Sequence, residues 1–103
     1  MQTSETNNKR IEDDIRKAGA AAQAIAEGAV NECMIWWAAR ETHSSAEKVS
    51  WYYGRFQGKA SALALILGYE TEDDYTDMHG AMWDYLSERG KEAARRALEN
   101  AVA

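Results

Sequence analysis

Aromatic and cationic residues interleave most densely in one short stretch, Trp51, Tyr52, Tyr53, Gly54, Arg55, Phe56, Gln57, Gly58 and Lys59. Rings beside cations can stack a base and hold a phosphate. Tyr52, Tyr53, Arg55 and Lys59 are therefore a candidate site for a small phosphorylated or nucleotide ligand. The segment from Ser44 to Tyr69 is locally +2, from Lys48, Arg55 and Lys59 against Glu47. A packing reading competes with the ligand reading. Gly54 and Gly58 lie four apart on one helical face, where small residues let a neighbouring helix come close. Arg55 and Lys59 have the same spacing and suit a solvated edge. The glycine-lysine spacing of a phosphate loop is absent, which favours packing.

Carboxylates gather in the next segment. Glu70, Glu72, Asp73, Asp74 and Asp77, with Asp84 and Glu88, give residues 70–88 a charge of −7 with no lysine or arginine. Such a face suits a basic surface on a partner protein. Capping and solvation of a helix start explain the same residues more simply. The calcium-loop pattern, with its glycine at position six, is missing.

Metal and nucleophile chemistry find little support. His43 and His79 are the only histidines and lack a helical pair spacing, and Cys33 is remote from both. A structural zinc site needs four such ligands in compact pairs. Ser44 and Ser45 adjoin His43, but neighbours in sequence are not a triad, and both serines read better as helix caps. The expectation is a chain with no catalytic residue, no metal and no cofactor.

These side chains need helices to position them. The 103 residues contain no proline, the residue that costs about 3 kcal/mol inside a helix. Ile11, Ile15, Ala18, Ala22, Ile25, Ala29, Cys33 and Trp36 recur at spacings of three and four, one stripe of a helix. A first helix is predicted from Ser4 or Thr6 to about Thr42, with Gly28 as the candidate kink. Ser44-Ser45-Ala46-Glu47 reads as a capping box opening a second helix, and Gly68 reads as its left-handed stop, followed by a hydrophobic contact from Tyr69. A third helix is predicted from Thr71, with Tyr75, Met78, Met82, Tyr85, Leu86, Ala93, Ala97 and Ala101 as its stripe.

Lengths then pose a problem. A first helix of about 38 residues would be about 57 Å long, and a second of about 23 residues only about 35 Å. Either Gly28 folds the first helix back, or its N-terminal half pairs with another copy through Ile11, Ile15, Ala18, Ala22 and Ile25. The second option makes the chain a homo-oligomer. Trp36 and Trp37 point about 100° apart on a helix, so Trp37 faces either a second neighbour or an interface.

Composition sets the class. One helical domain spans residues 1–103, an all-α antiparallel bundle of three main helices. Hydrophobic residues at 46% and charged residues at 28% rule out a disordered composition. A net charge of −5 argues against direct nucleic-acid binding. The longest apolar run, Ala60 to Leu67, is too short to cross a membrane. The polar run from Met1 to Arg16 has no secretory h-region, and Cys33, alone, suits a buried inert thiol in a reducing cytoplasm.

A compact, acidic, alanine-rich, proline-free chain without a catalytic constellation resembles the small accessory proteins that phages and mobile elements encode to block host machinery, anti-CRISPR inhibitors among them. The resemblance implies a non-enzymatic viral inhibitor acting in the host cytoplasm on a basic partner surface. It carries no site residue. A structural or assembly protein is the remaining alternative.

Overall fold

The apolar run that predicts one long helix folds as two. The computed structural model of the chain describes residues 4–69 and 78–102. In it, α1 spans Ser4–Ala18, α2 Ala20–Glu41, α3 Ala46–Leu67 and α4 Gly80–Val102. The break falls at Gly19, not Gly28. Gly19 adopts φ 102° and ψ −174°, a region essentially reserved for glycine. The turn before it ends in Arg16 and Lys17, cations that suit a helix C-terminus. Gly28 stays helical inside α2, facing the end of the Lys59 side chain, whose Nζ would lie 3.3 Å from a Cβ there.

This break resolves the length mismatch. α2 and α3 are each 22 residues, about 33 Å, and form a matched antiparallel pair. The longest dimension of the molecule is 41 Å, too short for a straight helix of about 57 Å. Among the described residues there are four helices and no strand, so the all-α expectation holds with one helix more than anticipated.

Two further details differ at the helix ends. Ser45, rather than Ser44, caps α3, its hydroxyl accepting from the Lys48 backbone N–H at 3.3 Å. The third helical position is therefore Lys48, which has no carboxylate to complete a capping box. Gly68 is left-handed at φ 76° as expected. Tyr69 N–H donates to the Ala64 carbonyl at 2.9 Å and Gly68 N–H to Leu65 at 3.2 Å, the paired bonds of a Schellman stop. The end of α2 repeats those bonds with His43 in the left-handed position at φ 56°. The predicted start at Thr71 lies outside the described residues. Met78 and His79 form a widened turn that leads into α4.

α2 is the central helix, packed along α3 on one side and α4 on the other, while the α3 and α4 backbones stay apart and meet through side chains, Phe56 against Trp83 at 4.9 Å. Small residues make this possible. Ala22, Ala26 and Ala29 of α2 and Ala60 and Ala64 of α3 are buried, so the backbones approach closely. Phe56, Leu63, Met82 and Leu86 fill the space between. The tightest crossing is at Gly90 of α4. A Cβ there would lie 2.5 Å from both Cβ and Sγ of Cys33. α1 lies across the end of this layer. It buries Ile11 and Ile15 and is tied down by a Tyr69 hydroxyl donating to Asp14 at 2.5 Å.

The stripe predicted to bind another copy is thus consumed within one chain. Ile11, Ile15 and Ala22 are buried, Ile25 is partly buried against the core, and Ala18 is exposed. No helix among the described residues is long and apolar enough to cross a membrane.

Candidate functional site

Of the residues proposed for a phosphorylated ligand, Arg55 and Lys59 come together beside α2, but their charges are already matched. Glu32 of α2 is almost fully buried, its side chain 6% exposed. Its Oε1 accepts from Arg55 Nη2 at 2.9 Å and from Lys59 Nζ at 3.2 Å. The Arg55 hydrogen bond, opposed by burial and helped by Lys59, holds the Glu32 carboxyl below its ordinary value. An anion would have to compete with this carboxylate for both cations. Tyr53 lies apart from them, half-buried between Trp36 at 4.9 Å and Trp83 at 6.4 Å. Tyr52 stacks edge-on to Trp51 at 5.2 Å.

Glu32 was not legible as a partner. It lies one residue before Cys33, on the edge of the apolar stripe, and between Ile25 and Ala39 its only charged neighbour is Glu27. A carboxylate in that setting is the one signal that marks it, since buried charges are normally paired.

Gly54 and Gly58 make no close helix contact among the described residues. A Cβ at either would meet nothing within 4 Å. Both face outward, along with Trp51 at 58% exposure, Leu65 at 69% and Ile66 at 47%, which are the large hydrophobic residues left exposed among the described residues. All three are on α3. The guanidinium of Arg55 sits 4.9 Å from the Trp51 ring centroid, so the fork spans from the buried Glu32 to an exposed ring.

Trp37 faces a second neighbour. It meets Trp36 edge-on at 5.1 Å, and Arg40 and Lys91 lie 4.9 and 5.2 Å from its ring. Lys91 belongs to α4, so α2 is sandwiched on two sides. Cys33, one turn away, is fully buried and directs its thiol toward the Ser87 carbonyl at 3.8 Å. Burial pushes the thiol up to about 11, with the Trp37 indole pulling the other way.

An open groove of about 760 Å³ runs between α1, α2 and α4. Its floor includes Ile15, Ala26, Val30, Leu86 and Ala93. Its charges are largely spent on one another: Arg89 donates to Glu12, and Arg96 Nε lies 3.3 Å from Glu92. Of the acidic face, Asp84 is exposed on α4, while Glu70, Glu72, Asp73, Asp74 and Asp77 lie outside the described residues. Among the described residues no three His, Cys, Asp or Glu side chains are grouped as a metal site.

No protein-family model, no curated protein and no solved structure matches this chain.

Proposed function

We infer that this chain is a non-enzymatic protein-binding module and that it presents the outward face of α3. The observation that carries this reading is the placement of Trp51, Leu65 and Ile66. A folded chain that buries Phe56, Leu63 and Tyr69 completely leaves these three in water, on one helix, pointing away from its own core. Trp, Tyr and Arg are the residue types that dominate binding energy at protein interfaces, and Trp51, Tyr52 and Arg55 form one contiguous patch. Occupying a surface is how small phage-type inhibitors of host machinery act, and the size and composition of this chain resemble theirs. On this reading the acidic segment from Glu70 to Asp84 steers the module toward a basic surface.

A photo-crosslinking residue at position 51, in cells that make the protein, tests the reading. A discrete cross-linked protein species is expected at position 51, and Leu65→Glu in the same chain should remove it. The same probe at Arg96, exposed on α4, serves as the control. Equal yields at positions 51 and 96, or a species insensitive to Leu65→Glu, would sink it.

A further inference from the structure

The outward face of α3 has an internal symmetry. Trp51, Gly54, Gly58, Ala62 and Leu65 are separated by three, four, four and three residues, a spacing that reads the same in both directions about Gly58. At about 100° per residue these five fall within about 80° of arc. All five are exposed, and the buried Phe56, Ala60, Leu63 and Ala64 lie on the opposite side. We propose that this face binds a second copy of the chain, antiparallel, with a two-fold axis at Gly58. The proposal rests on the reading of α3 as an interface and names its occupant.

A two-fold interface must be self-complementary, so that residue i meets j and j meets i. An antiparallel pair centred on Gly58 sets Gly58 against its own copy, Gly54 against Ala62, and Trp51 against Leu65. The small residues permit close approach at the axis, since among the described residues nothing lies within 4 Å of a Cβ built on Gly54 or Gly58. The large ones then close the interface at both ends.

Charge agrees with this pairing. No charged residue occurs between Ala60 and Tyr69, and the two cations beside the strip, Arg55 and Lys59, are both held by Glu32 of the same chain. The same geometry brings Glu47, in the first turn of α3, to the far end of the other copy's α3. There Ile66, Leu67 and Tyr69 share a cleft with Arg10, Asp14 and Lys17 of α1. Asp14 already pairs with Arg10 at 3.7 Å, so the cation left for the arriving carboxylate is Lys17, once in each copy by symmetry. The strip from Trp51 to Leu65 is about 21 Å long. Two copies would cover on the order of 1,000 Å², the lower bound for a specific interface. A dimer carries two copies of the acidic sequence from Glu70 to Asp84, which makes the module bivalent toward a basic surface.

The purified full chain tests the proposal in two ways. Light scattering and sedimentation equilibrium should give twice the 11.5 kDa of one chain, with a concentration-dependent midpoint. Gly58→Leu should weaken association at least about tenfold while the fold stays intact, because leucine is the better helix former and the site is open. Cysteine coupling then reads the register, with Cys33 silent in the core. Gly58→Cys should couple to itself under mild oxidation. Gly54→Cys and Ala62→Cys should couple to each other when mixed and not to themselves. A chain that stays at 11.5 kDa throughout, or self-coupling of Gly54→Cys, overturns the two-fold pairing. If position 51 still cross-links another protein in cells, the interface reading survives that result; if it cross-links nothing, both fall.

Discussion

Gly90→Ala is the substitution on which the packing account is most exposed. Alanine is favoured over glycine in a helix by about 1 kcal/mol, so propensity alone predicts a more stable protein. The structure predicts the reverse. The new Cβ would stand 2.5 Å from Cys33 Cβ, where ordinary contact begins near 3.4 Å, and 3.1 Å from the Met34 backbone nitrogen. The shortfall is therefore about 0.9 Å, and no rotamer change removes it, since Cβ and backbone nitrogen are fixed to α2. α4 must move away from α2, giving up contacts that bury Leu86 and Met82. Overpacking of this kind costs about 1–3 kcal/mol, occasionally more. With backbone involved the upper part of that range applies, leaving a net loss of about 2 kcal/mol. For a domain of this size that is a fall in Tm of roughly 10 °C, read by far-UV circular dichroism. Cys33→Ala should not rescue the variant, because alanine keeps the offending Cβ, whereas Cys33→Gly should recover at least about 1 kcal/mol in a double-mutant cycle. A Gly90→Ala protein that melts at or above the parent temperature would refute the close α2–α4 crossing.

Two other substitutions probe local features. His43 holds φ 56° at the end of α2, a conformation costing about 1–2 kcal/mol for a non-glycine residue. His43→Gly should raise stability by about 0.5–1 kcal/mol after its own backbone entropy is subtracted, seen as a higher Tm. Glu32 has a folded-state value below its ordinary 4.5, so its contribution is present above about pH 4.5 and is lost as pH falls through the lower, folded value. Glu32→Gln should flatten the acid limb of the stability curve measured by urea unfolding; an unchanged limb would mean that the Arg55 and Lys59 bonds contribute nothing.

Much of the fold was written locally. The serine at the start of α3 and the glycine at its end act through bonds spanning three to five residues, and such bonds are visible in sequence. The break at Gly19 has a local mark, Arg16 and Lys17 just before it, but the predicted kink was Gly28, because propensity treats the two glycines alike. Only the packed structure separates them: Gly28 lies under Lys59, and Gly19 has open space around it. The stripe from Ile11 to Trp36 was real, but its partner was the chain itself, a choice periodicity cannot make. At the candidate site the sequence showed Arg55 and Lys59 without Glu32, which approaches them across 23 and 27 residues. The same limit hid the orientation of Gly54 and Gly58. Their spacing indicated packing, and the fold turned them outward.

Cys33 gives this molecule a built-in clock. Its thiol is fully enclosed where α2 and α4 cross, and burial keeps it protonated at neutral pH. A thiol reagent therefore reaches it only in molecules whose α2–α4 seam has parted, and the labelling rate reports the population of that open state. Once an adduct forms, the cavity has no volume to receive it, because even a methyl group on Gly90 does not fit. Each opening that the agent captures is then a one-way exit, and the lifetime of the folded population is set by the fraction of time the seam stands open together with the reactivity of the exposed thiol.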